Sequence, residues 1–92
     1  MELRAQLRTM LHDLEHTDQV HAELRESVLP SSEAALDAWE RQAASGEVLR
    51  LQVIDARRRL LEIRRRELDA SIDRAWARVR FAILAAAVGG AA

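Results

Sequence analysis

His12 and His16 stand four residues apart, with Asp13 and Glu15 beside them, a spacing that puts two imidazoles on one face of a helix. Two such histidines can hold zinc once a third ligand and a supporting shell complete the set. His21, about one and a half turns further on, falls in an apolar seam instead. The pair therefore reads as surface histidines. Nucleophilic chemistry lacks a candidate: cysteine is absent, and no serine sits on a glycine-flanked elbow. Nor are two carboxylates set on opposing walls for acid–base work. We assign no catalytic, metal-binding or cofactor-binding residue, and expect no enzyme.

Arg57-Arg58-Arg59 and Arg64-Arg65-Arg66 are seven residues apart, so the triplets repeat on the same helical faces two turns on. A nucleic-acid binder would want such a stripe with aromatic platforms beside it. Here Asp55, Glu62, Glu67 and Asp69 interleave the arginines, Trp39, Trp76 and Phe81 are the only aromatics, and the net charge is −1. The stripe reads as a solvated or partner-helix face, not a nucleic-acid site. Asp55 lies within the apolar run from Leu49 to Leu61 and reads as an exposed helix position paired with Arg58 or Arg59.

The elements that carry these residues are helical. Among 92 residues there are 3 Gly and 1 Pro, and all 14 basic residues are arginine; Ala, Leu, Arg and Glu dominate, which favours helix. Leu3, Leu7, Met10, Leu14, Thr17, His21, Leu24 and Val28 alternate spacings of four and three, a heptad seam widened by Leu11, with Thr17 and His21 as a polar layer. This predicts a first helix over residues 1–29. Pro30 removes a backbone donor and pushes Leu29 from helical geometry, so the helix either kinks or stops and restarts, with Ser31 or Ser32 as a cap. Residues 30–44 continue it, with Leu36, Trp39 and Ala43 on one face. A turn follows at residues 45–47, where Gly46 ends the helix.

A second long helix occupies residues 48–92 with its Gly/Ala tail, its regular part running from Val48 to about Val88 before Gly89-Gly90 ends it. Its seam reads Leu49, Val53, Ala56, Leu60, Ile63, then shifts to Leu61, Leu68, Ile72, Ala75, Val79, Ala82 and Ala86, a stutter that unwinds the supercoil. Residues 1–47 carry net charge −6 and residues 48–92 carry +5, a polarity that favours pairing the two helices antiparallel. The expected fold is all-α, a long antiparallel helical hairpin. The apolar stretch 81–92 falls short of the about 20 residues a bilayer-spanning helix needs, and Met1-Glu2-Leu3-Arg4 opens an amphipathic helix instead of a signal peptide.

Four features occur in a telling order: Val28-Leu29-Pro30, then Ser45-Gly46-Glu47-Val48, then Val53-Ile54-Asp55-Ala56 followed by Arg58, Leu60 and Leu61, then Leu84 and Gly89. Over roughly residues 20–90 this resembles the C-terminal helical hairpin of TolC-type outer-membrane efflux proteins, near the heavy-metal and multidrug branch. The resemblance implies a fragment of an α-helical periplasmic tunnel, trimeric in the family, whose tip docks a periplasmic adaptor and an inner-membrane efflux pump. It implies that Ser45, Gly46, Glu47 and Val48 form the turn where the adaptor docks, and that Asp55 stands at the tunnel tip. Ala43 replaces the tyrosine usual three residues before the turn glycine, and Gln52 a second tip acid of some members. The chain would then represent the terminal part of such a protein, in the periplasmic portion of the outer membrane. The competing expectation is a small stand-alone helical-hairpin interaction protein, a chaperone or adaptor. On either reading Ile54, Leu61, Trp76 and Ile83 exceed what one seam covers, so self-association or capture by partner helices is expected.

Overall fold

The computed structural model describes residues 2–46 and 50–90, and every described residue outside the turn at Ser45 and Gly46 is helical. Helix α1 spans Glu2–Glu23, a π turn spans Leu24–Val28, α2 spans Leu29–Ala44 and α3 spans Arg50–Gly90. The chain is an all-α helical hairpin, and no described helix is long and apolar enough to cross a membrane. Two compact units divide it, Met1–His21 with Asp69–Ala92, and Ala22–Leu68.

In the Ala22–Leu68 unit, α2 lies against the first half of α3. Val53, Ala56 and Leu60 are buried and Ile63 and Glu67 half-buried, opposite a half-buried row of Leu24, Val28, Ser32, Leu36, Trp39 and Ala43. That row steps by four residues three times in succession, which a uniform 3.6-residue helix would carry off the face. The π turn resolves the mismatch. The Leu29 N–H bonds to the Leu24 carbonyl, one residue further back than in an α-helix, so the wider turn absorbs one extra residue and returns Ser32, Leu36, Trp39 and Ala43 to the seam.

The same turn explains how the helix passes Pro30 without stopping. A proline ring meets the carbonyl four residues back and has no N–H to bond it; widening the turn that carries Glu26 relieves both. The sequence's break at Pro30 is thus a change of helical pitch, and Ser31 and Ser32 cap nothing, since Val28 before α2 is already in right-handed helical geometry.

In the unit of Met1–His21 with Asp69–Ala92, α1 lies against the second half of α3. His21, Ala70 and Ala77 are buried; Leu7, Met10, Leu14 and Thr17 are half-buried, as are Phe81, Leu84 and Val88. Thr17 tilts its hydroxyl back to donate to the Leu14 carbonyl at 2.9 Å, so the polar layer costs no orphaned donor. Asp18 pairs with Arg74 and, at 3.8 Å, with Arg78. Leu3 and Leu11 are exposed: Leu11 sits about 100° round from Met10 and misses the seam.

The expected stutter in α3 does not occur. Its inward positions run Val53, Ala56, Leu60, Ile63, Glu67, Ala70, Arg74, Ala77, Phe81, Leu84, Val88, alternating three and four without a slip, and each is buried or half-buried. Leu61, Leu68, Ile72, Ala75, Val79, Ala82 and Ala86 are all exposed. The polar residues Glu67 and Arg74 hold seam positions, so the apolar signal moves to the opposite face while the packing does not. Gly89 and Gly90 are both helical, and Gly90 is the last described residue of α3. Small inward side chains such as Ala56, Ala70 and Ala77 leave a thin core, and among the described residues no large side chain is wholly enclosed.

Candidate interaction surface

The turn is built for a sharp stop. The Ser45 N–H bonds the Arg41 carbonyl at 3.2 Å and the Gly46 N–H the Ala43 carbonyl at 3.1 Å; the Ser45 hydroxyl donates to the Gln42 carbonyl at 2.8 Å. Three carbonyls left open by the helix end are thereby satisfied. Gly46 takes φ +81°, the left-handed region that a Cβ disfavours. Glu47 and Val48, the other two turn residues singled out from the sequence, lie outside the described residues.

Asp55 is exposed and pairs with Arg59 at 3.2 Å, one helical turn on. It stands on the wall of an open groove of about 900 Å³ between α2 and α3. Ser27 and Val28 of the π turn form one end of the α2 wall and Trp39 the other; Leu51, Ile54 and Arg58, at the edge of the outer face of α3, line the opposite side. Gln52 also lines it, and Ala43 is half-buried on the far side beside Val53. The groove offers an apolar floor, with Asp55, Arg58 and Arg59 placing both charge signs on its rim.

The arginine triplets divide by face. Arg57 crosses to Glu40 of α2 at 3.4 Å and Arg59 turns back to Asp55, while Arg58 borders the groove; Arg64, Arg65 and Arg66 are exposed. His12 and His16 are exposed, and His21 is 6% accessible in the seam. No group of three or more His, Asp or Glu among the described residues could hold a metal ion.

A further feature is the outer face of α3. Leu51 is 71% accessible, Leu61 63% and Ile83 66%, and Ile54, Leu68, Ile72, Trp76 and Val79 are exposed with them. Single exposed apolar residues are ordinary, but eight on one helix, six of them at two heptad positions, are not. Leu61 and Leu68, which the sequence pattern places in the inner seam, stand on this outer face instead, in line with Ile54 seven residues before Leu61.

Scans of this chain against protein-family models, curated proteins and solved structures each returned no match.

Proposed function

We propose that this hairpin is part of the periplasmic tunnel of a TolC-type outer-membrane efflux channel, a passive conduit whose tip receives a periplasmic adaptor and inner-membrane pump. The observation that carries the reading is the ordered set of Val28-Leu29-Pro30, Gly46, Val53-Ile54-Asp55-Ala56 and Leu84 with Gly89 on one helical hairpin. Two structural features support it. Gly46 holds a left-handed turn that favours glycine, and α3 carries a second apolar face, as a helix needs when it is flanked on both sides in a tunnel wall. In a trimer Asp55 supplies three carboxylates, which attract cations and repel one another. The test grafts residues 30–60 into a complete homologous channel. Efflux is retained, Gly46→Val weakens adaptor cross-linking and Asp55→Ala alters cation block of conductance. Retained efflux with neither substitution having an effect removes the tip assignment.

The second reading, a stand-alone helical-hairpin interaction protein, is favoured by the groove beside Trp39 and by the same outer face. A graft that folds but never assembles decides for it.

A further inference from the structure

The outer face of α3 is itself a heptad seam, and its flanking charges select what covers it. From Leu51 the positions run Leu51, Ile54, Arg58, Leu61, Arg65, Leu68, stepping three and four alternately. The residues just before the first member of each pair are Arg50, Arg57 and Arg64; those just after the second are Asp55, Glu62 and Asp69. One flank is therefore basic and the other acidic over three successive heptads. Arg50 to Asp55, Arg57 to Glu62 and Arg64 to Asp69 each span five residues, the offset at which flanking positions meet between two parallel, in-register helices.

We propose that this face takes a second copy of the chain, with the two α3 helices parallel and in register. Arg50 then faces Asp55 of the other copy, and Arg57 its Glu62, on both sides of the seam. An antiparallel pair would set the basic flank against itself and the acidic flank against itself, which like charges oppose. Arg50, Glu62 and Arg64 make no ion pair with another described residue. Asp55 and Arg57 hold exposed partners within the chain, Arg59 and Glu40, that compete only weakly. Leu61 and Leu68 occupy the position where leucine favours two strands, while the Leu51–Ile54 pair is of the kind that favours more. Arg58 and Arg65 fall at the other seam position, where a charge lowers stability; their long stems let the guanidinium groups leave a two-stranded seam more readily than a three-stranded one. The inference rests on charge and spacing and not on the efflux reading, with which it competes for this face: a parallel dimer takes the surface that a neighbouring tunnel helix would cover.

Sedimentation of the full chain from about 1 to 200 µM is the first arm, with helicity followed by circular dichroism. The chain goes from monomer to dimer over that range. Glu62→Arg sets Arg57 against arginine on both flanks and weakens the dimer about tenfold or more, and Arg57→Glu in the same chain restores it. Arg65→Leu tightens it by a similar factor, a gain that misfolding cannot mimic. Because cysteine is absent, Ile54→Cys and Leu68→Cys each report register: each cross-links to its own kind on oxidation, and the mixture gives no 54-to-68 product. A monomer at every concentration, a trimer, 54-to-68 cross-links without the homotypic ones, or indifference to Glu62→Arg and Arg65→Leu overturns the proposal.

Discussion

Arg57 of α3 donates through Nε to Glu40 Oε1 of α2 at 3.4 Å, joining residues 17 apart in the chain across the Gly46 turn. The contact marks the register of the two helices, yet both side chains are largely open to water. An exposed pair of this kind is worth about 0.2–1 kcal/mol. A double-mutant cycle on Glu40→Ala and Arg57→Ala, read by chemical denaturation, should return a coupling in that range, falling with added salt.

Leu60 and Leu61 are neighbours in sequence with opposite fates. Leu60 is 4% accessible against α2, and Leu61 faces outward. Leu60→Ala should cost about 2–4 kcal/mol of hairpin stability. Leu61→Ser, measured at dilution where chains stay apart, should change it by less than about 0.5 kcal/mol.

Gly46 has nothing within 4 Å of the position a Cβ would take, so any penalty for a side chain there is backbone strain alone. Gly46→Ala should cost about 1 kcal/mol or more. Gly46→Asn should cost distinctly less, because asparagine tolerates the left-handed region. Thermal unfolding of the two variants side by side distinguishes strain from packing.

The π turn and Pro30 depend on each other. Deleting Ser27 removes the extra residue that the π turn absorbs. With Pro30 retained, the ring then meets an ordinary α turn, and the variant should lose about 3 kcal/mol. With Pro30→Ala added, the shortened helix should keep Leu36, Trp39 and Ala43 in the seam and recover most of that loss. Equal stability of the two deletion variants would remove the link between the turn and the proline.

The helices, the glycine turn and the face of Leu36, Trp39 and Ala43 were legible in the sequence because each rests on local pattern. Thr17 and His21 were legible as seam positions because the heptad through Leu14 and Leu24 fixes them despite their polarity. The same logic failed in α3. Glu67 and Arg74 hold seam positions by continuity of the helix, while Leu61, Leu68, Ile72 and Val79 offer a stronger apolar signal on another face. Periodicity alone cannot rank two stripes on one helix; which is inward depends on the partner. The π turn was hidden for a related reason. Its one-residue insertion shows only as a run of fours through Leu24, Val28, Ser32 and Leu36, and Pro30 in the middle reads as a break. The groove beside Trp39 has no local signature, since its walls come from two helices.

The central claim is that α3 keeps one inward seam from Val53 to Val88 and leaves a second apolar face open. Thiol reactivity along α3 tests it most directly, because every introduced cysteine is the only one in the chain. Single cysteines at Leu60, Leu61, Ala70, Ile72, Ala77 and Val79 are labelled at dilution. Positions 60, 70 and 77 should react about tenfold or more slowly than 61, 72 and 79, since labelling them requires the helices to open. Protection that passes to 61, 72 and 79 while 70 and 77 react freely would contradict the account and restore the stutter.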